Sequence, residues 1–397
     1  MKHSSRVRRA KKQARSELGP DDWHRFNYAK FKFNNFTDNC ARTTLDNFVV
    51  SQVPQVISNA TLGWPANSNW TMQSLMKSYS QEKFKVGEDN KGKSVYMSLS
   101  AFNYYLCDPR GAAIDDSPLY IFDSQFSSRT ATHSARSQPY TGKKASKAAC
   151  HILQDYTVPA CFQNDLFRLT THRRPPFRWF VCGPARSGTG IHVDPLGTNA
   201  WNALVSGRKR WALFPPSTPK HLIYPRVKDH EAATWFAQVY PTITALPRDE
   251  REKLGMVEID QVRGETVHVP SGWHHVVINV EFSVAITHNF CLPTTFEETW
   301  LRTRYSRPRL AKKLYGKLRD SKSKLLKGDV NSRGIDKYER KNRRRLARLT
   351  RGLETVPKLF ESSSSSSSSS TSQGESDDAK ELVVCKCCNA TVGSKII

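Results

Sequence analysis

The sequence predicts a mainly β chain, folded as an antiparallel barrel or double-sheet jelly roll, with flanking α-helices and disordered basic and serine-rich tails. Three observations predict it. Short β-runs separated by turn signals fill residues 177 to 290. Long Lys/Arg-rich stretches with leucines at partly helical spacing follow at about residue 293. The formal charge of +25 is concentrated outside the β-rich stretch.

The β-runs are Arg178 to Cys182, Trp201 to Val205, Lys209 to Phe214, Thr266 to Val269, His275 to Val280 and Phe282 to Phe290. Ser206-Gly207 separates two of them as a tight hairpin would. Glu231 to Tyr240, with the Pro-containing stretch after it, interrupts the strands as an insert. Upstream, residues 20 to 123 mix aromatic and apolar residues with turn clusters such as Gly87-Glu88-Asp89-Asn90, an α+β lead-in to the core. Residues 124 to 148 are rich in Ser, Thr, Lys and Arg and read as an exposed loop. These shifts divide the chain into a basic arm (1–19), the lead-in (20–176), the barrel (177–293), a basic helical region (294–360) and a tail (361–397).

Residues 1 to 15 carry seven Lys/Arg and no acid, and residues 301 to 360 carry 21 basic against 5 acidic residues. Between them the chain is nearly neutral, so a folded core is flanked by basic arms suited to polyanions, most simply RNA, or to a nuclear address. A solvated basic helix with no partner is the plainer alternative. Leu301, Leu310, Leu314, Leu318, Leu325 and Leu326 suit one or two helices packed on the barrel edge or on a second copy of the chain, a homo-oligomer. Ser362 to Ser370 is an unbroken serine run that can bury nothing.

No run of eighteen apolar residues occurs, so no transmembrane segment is expected, and the basic N-terminus lacks the apolar stretch of a secretory signal. Nine cysteines without framework spacing fit free thiols in a reducing compartment. Cys385, Cys387 and Cys388 form a tail cluster for which zinc is the sharper reading and ordinary reduced thiols the plainer one.

His192-Val193-Asp194 places an imidazole and a carboxylate on one face of an extended strand, two of the ligands that a redox-active iron site needs. Alone, such a triplet is weak. A second histidine-bearing strand, Trp273 to Asn279, arrives about eighty residues later, and alternation lets only one of His274 and His275 face the metal without choosing between them. Lys209, just after the Ser206-Gly207 turn, points into a barrel or into solvent; by alternation Arg208 and Arg210 take the opposite face.

Longer blocks then carry a resemblance. Asp22-Trp23, Lys83 to Asn90, Asp116 to Asp123, Arg173 to Phe180, Arg186 to Trp211 and Gly264 to Phe290 resemble the Jumonji-C oxygenases, specifically the branch of bifunctional arginine demethylases and lysyl-hydroxylases. The likeness spans roughly residues 20 to 305. It implies a double-stranded β-helix of the cupin-like type, with Fe(II) held by His192, Asp194 and His275, the last because it directly precedes Val276-Val277. It also implies 2-oxoglutarate contacts from Lys209, Asn202, Thr189, Tyr120 and Thr287, and O2 as the oxidant.

The activity so implied is hydroxylation of lysine side chains in nuclear, Lys/Arg-rich splicing-factor proteins. Demethylation of arginines in histone tails and RNA contact through the basic arms go with it. The alternative is a non-catalytic RNA- or phosphatidylserine-binding scaffold or receptor, including apoptotic-cell recognition. The chain departs from the family pattern in a longer, more basic 124–148 loop and in its Cys385-Lys386-Cys387-Cys388 terminus.

Overall fold

A computed structural model describes residues 36–88, 93–108, 110–115, 118–126, 151–225, 231–320, 383–385 and 390–392. The N-terminal arm, most of the 124–148 loop and residues 321–382, the serine run among them, lie outside the described residues. The chain divides into two units, Met1–Gly334 and Ile335–Ile397. Of the second, the antiparallel pair β14 (Val383–Cys385) and β15 (Ala390–Val392) is described.

The first unit is built on two sheets. The larger orders β1 (Arg42–Thr43), β2 (Gln55–Ile57), β11 (Thr266–Val269), β8 (Asn199–Ser206), β13 (Ser283–Phe290), β6 (Arg178–Gly183) and β5 (Ile121–Asp123). The smaller orders β10 (Val257–Val262), β9 (Arg208–Phe214), β12 (His274–Asn279) and β7 (Gly188–Val193). Three strands of the larger sheet thus come from before residue 177.

Alternation along each strand sorts the core into layers. Between the sheets, Val56, Ala200, Val267 and Val269 meet Trp211, Leu213 and Val277. On the outer face of the larger sheet, Phe180, Trp201, Ile286 and Phe290 are covered by lead-in aromatics including Trp70, Phe84, Phe102 and Phe162. The lead-in supplies the hairpin of β3 (Lys83–Glu88) and β4 (Ser94–Ser98), and helices α1 (Met72–Tyr79) and α2 (Leu99–Cys107). Both helices start on a capping hydroxyl: Thr71 accepts from the Ser74 amide and Ser98 from that of Ala101. The outer face of the smaller sheet is covered by the insert: α3 (Ala232–Gln238), α4 (Tyr240–Thr244) and α5 (Arg248–Lys253). There Trp235 and Phe236 pack on Phe214, Val276 and Ile278.

Two local expectations are corrected. Ser206-Gly207 is not a hairpin: β8 and β9 belong to different sheets, so Gly207, at φ +90°, turns a corner between layers. Its missing β-carbon would lie 2.3 Å from the Phe282 carbonyl oxygen, an approach only glycine permits. Gly87 and Glu88 continue β3 past an irregularity in its pairing with β4 rather than opening a turn. The helices after the barrel are α6 (Phe296–Ser306) and α7 (Pro308–Asp320), and Leu310, Leu314 and Leu318 point inward to Leu166, Phe167 and Trp300. Leu325 and Leu326 lie outside the described residues.

A buried ion pair ties the lead-in to the end of β13. The Arg174 guanidinium lies 2.6 Å from the Asp165 carboxylate, each side chain 8% exposed. Asp165 also accepts from the Cys291 amide, and Arg174 donates to the Asn289 carbonyl. Removing one partner strands a buried charge, which costs ~3–5 kcal/mol. Asp165→Ala is therefore expected to lower stability by about that amount, read from denaturant unfolding curves.

Candidate metal centre and co-substrate pocket

Strands β7 and β12 pair antiparallel with His275 opposite His192 and Val277 opposite Thr189. Two residues of β7, Gly190 and Ile191, therefore face a single residue of β12, a β-bulge. Without it, Thr189 and His192, three apart, would point to opposite faces. With it, Thr189, His192, His275 and Val277 share the inner face, while Ile191 and Val276 pack outward against the insert.

Asp194 follows at the end of β7, two residues past His192 and on its side. One ligand atom from each of His192, Asp194 and His275 lies within 4.8 Å of the others. Each imidazole is oriented alike: Nδ1 of His192 donates to the Gly190 carbonyl (2.9 Å) and Nδ1 of His275 to that of Trp273 (3.1 Å). That fixes the tautomer and leaves both Nε2 lone pairs free, 3.8 and 3.9 Å from Asp194 Oδ1. Burial pushes the His275 pKa down to about 4, so this imidazole is neutral, as a metal ligand must be. Asp194 Oδ2 is buried with no hydrogen-bond partner among the described residues. Two imidazoles whose Nε2 atoms converge with a carboxylate oxygen suit a ferrous ion.

His274 takes the other face. Its Nδ1 lies 3.0 Å from the Tyr224 hydroxyl, beneath the insert. Parity left the two histidines open; the register of β12 against β7 separates them.

The Lys209 side chain lies deep in the barrel and is 0% exposed. On β12 its Cα partner is Asn279, four residues past His275, which puts it ~13 Å along the ladder from the ligand position. Arg208 and Arg210 face away, and both lie against Asp260. The Lys209 ammonium touches the Tyr120 hydroxyl at 3.3 Å and lies 5.7 Å from the centre of that ring. Burial pushes its pKa down to about 7. A deeply buried ammonium with one long neutral hydrogen bond is a receptor for an anion, such as the far carboxylate of a dicarboxylic acid.

The remaining residues surround the same space. Asn202 on β8 pairs with Thr287 on β13, and Asn202 Oδ1 is buried without a partner. Thr287 donates its hydroxyl to the Trp201 carbonyl at 2.9 Å, so it serves a bound carboxylate only after rotating away.

Residues not singled out in the sequence line the floor. Asn279 donates to Ser187 Oγ at 2.8 Å, and a β-carbon on Gly183 would come within 2.5 Å of Ser187 Oγ and 2.6 Å of Tyr120 Cδ2. The available signal was the parity of 275, 277 and 279 on one strand. Arg186, in the left-handed region at φ +70°, donates to the carbonyls of Ala112, Ala113 and Asp115, fastening the segment that leads to Tyr120. Of the tail cluster, Cys387 and Cys388 lie outside the described residues, and nothing is described of the Cys385 side chain.

The opposed faces give a direct expectation. His275→Ala should abolish tight binding of one Mn2+ or Fe2+ in an anaerobic titration, whereas His274→Ala should keep it within about threefold of the unaltered chain.

Comparisons with known proteins place the chain in a family. The cupin-like domain family matches residues 41–295. The "bifunctional arginine demethylase and lysyl-hydroxylase psr-1" of Caenorhabditis elegans is 39% identical over 350 residues, covering 84% of this chain and 82% of that protein. The "arginine-specific demethylase JMJ22" of Arabidopsis thaliana is 32% identical over 60% of this chain and 41% of its own length. The human "2-oxoglutarate and iron-dependent oxygenase JMJD4" is 26% identical over 64% of this chain and 59% of its own length. By its fold, its match and its relatives, the chain belongs to the cupin-like-domain family, within the iron- and 2-oxoglutarate-dependent Jumonji-C oxygenases.

Proposed function

We propose that this oxygenase hydroxylates lysine side chains of Lys/Arg-rich, RNA-associated splicing proteins in the nucleus, and removes methyl groups from arginines of histone tails. The observation that carries the reading is the convergence of His192, Asp194 and His275 within the same barrel that buries the Lys209 ammonium. The nematode relatives, named for both activities, support the substrate classes. Fe(II) with 2-oxoglutarate and O2 supplies an oxidant strong enough to hydroxylate an unactivated carbon, with succinate and carbon dioxide as co-products.

The protein's part is placement. His192, Asp194 and His275 would hold the ion on one face, leaving the opposite face for the co-substrate and O2. Lys209 would take the distal carboxylate of 2-oxoglutarate by a charge-assisted bond, with Tyr120 beside it and Thr287 and Asn202 lining the same pocket. Thr189, on the inner face beside the ligands, would border the co-substrate. One site serves both proposed outcomes: a hydroxylated lysine carbon is a stable product, whereas a hydroxylated N-methyl group on arginine collapses with loss of formaldehyde.

The basic surface supports a polyanionic partner, proposed here as RNA. Arg307, Arg309, Lys312, Lys317 and Arg319 are all exposed on and beside α7. The basic segments at residues 6–15 and 341–351 lie outside the described residues and are the proposed nuclear address.

Incubation of Lys/Arg-rich and methyl-arginine peptides with Fe(II) and 2-oxoglutarate should give peptides heavier by one oxygen on lysine, and formaldehyde from the methylated set. Asp194→Ala should abolish both and the coupled succinate release. Absence of the lysine product from every peptide would sink the hydroxylase reading, and absence of formaldehyde the demethylase reading.

Lys209 sets a pH dependence. Its free-state pKa of about 7 lies below the ordinary 10.5, so between those values the unfolded chain holds a proton the folded chain lacks. Lys209 therefore favours the ligand-free fold increasingly as pH rises through that window. A bound carboxylate reverses the bias by restoring the proton. At pH 8, 2-oxoglutarate binding should take up close to one proton, measured as the dependence of calorimetric heat on buffer ionisation enthalpy. Affinity should fall as pH rises further, and Lys209→Met should abolish the uptake.

A further inference from the structure

After Asp194 the chain makes one 3-10 turn, Pro195–Gly197, broken at Leu196. It passes Pro195, then Leu196 at φ +60° and Gly197 at φ +65°, and rejoins the larger sheet at Asn199. A leucine in the left-handed region persists only where its surroundings hold it there. Within the segment the Pro195 carbonyl accepts from the Thr198 amide and hydroxyl; from outside it, the segment is held through the Gly197 carbonyl. The Gly197 oxygen accepts two hydroxyl hydrogen bonds of 2.8 Å each, from Ser271 Oγ and from Thr299 Oγ1. Ser271 lies in the turn that leads into His275, and its amide donates to Asn199 Oδ1. Thr299 is fully buried on α6, and Thr295, just before that helix, accepts from Asn199 Nδ2 at 2.8 Å. The Leu196 side chain packs into the cluster that holds Phe296 and Trp300. The segment after the carboxylate ligand is thus clamped at Gly197 from two sides, by the turn before the third ligand and by a helix that starts beyond the end of the cupin-like match at residue 295.

We infer that Thr299 is a positioning residue of the metal centre, and that α6, outside the family domain, completes it. The Thr299 hydroxyl holds the Gly197 carbonyl, the carbonyl holds the left-handed Leu196 peptide, and that peptide sets where the Asp194 carboxylate stands relative to His192 and His275. Loss of the hydroxyl leaves the carbonyl with a single donor and frees the segment to relax, so Asp194 is no longer preorganised for the ion. The inference rests on the reading of His192, Asp194 and His275 as ligands.

The same helix supplies the control. Thr303 lies one turn further along the same buried face, and its hydroxyl has no hydrogen-bond partner among the described residues. Thr299→Val and Thr303→Val make the same isosteric change on one helix, and only the first removes a bond to the ligand segment.

Mn2+ is titrated anaerobically into the full-length chain and its variants, with thermal melts of the metal-free proteins in parallel. Thr299→Val should weaken Mn2+ binding about tenfold, the low end of what loss of a supporting contact costs a metal site, while Thr303→Val binds as the unaltered chain does. Ser271→Ala, acting on the same carbonyl from the other side, should also weaken binding, and the double variant by less than the product of the two effects. Mn2+ binding by Thr299→Val as tight as that of the unaltered chain overturns the inference; should that variant not fold, unchanged binding by Ser271→Ala overturns it. Failure of the unaltered chain to take up Mn2+ or Fe2+ overturns the ligand assignment and this inference together. Metal uptake by the unaltered chain with equal uptake by the variants overturns the inference alone.

Discussion

The pairing of β7 with β12 is the constraint on which the site depends. A sheet fixes side-chain direction with a period of two, so residues an odd number apart cannot share a face unless the ladder is broken. The bulge at Gly190 and Ile191 breaks it once, and in doing so brings Thr189 to the same side as His192 and His275. It also leaves Ile191 free to pack outward under the helical insert. Site geometry and core packing are therefore two results of one irregularity.

The electrostatics divide along the same axis. At one end two imidazoles and a carboxylate oxygen with no hydrogen-bond partner among the described residues await a cation; at the other a buried ammonium rests on a phenol. Each end is unfavourable without a partner, because burial raises the free energy of the unpaired charge. A ligand that binds the metal with one carboxylate and Lys209 with the other relieves both ends at once. The lead-in takes part as well, since Tyr120 reaches Lys209 from a segment that Arg186 fastens through three carbonyls.

Much of this was legible in the sequence. The β-runs at Thr266–Val269 and Phe282–Phe290 stand out by their β-branched and aromatic residues between turn signals. That Lys209 faces opposite its arginine neighbours follows from alternation, which does not say which face is inward; the leucines of α7 mark its buried stripe. Strand β10 was not legible. Glu258, Asp260 and Gln261 interrupt its apolar pattern, and their partners, Tyr240, Arg208 and Trp211, are distant in sequence or on another strand. Nor does a dipeptide such as Ser206-Gly207 state which sheet the next strand joins, because a corner and a hairpin use the same turn chemistry. The bulge in β7 and the clamp on Gly197 depend on long-range register and contact, which local pattern does not encode.

That clamp bears on how the protein is made. A chain emerging from the ribosome presents His192 and Asp194 first, His275 some eighty residues later, and Thr299 last of all. Until His275 emerges the ligand set is incomplete, and until Thr299 does the Gly197 carbonyl lacks one of its two donors. Firm capture of a reactive metal thereby waits for α6, when the surrounding barrel is in place to direct its chemistry.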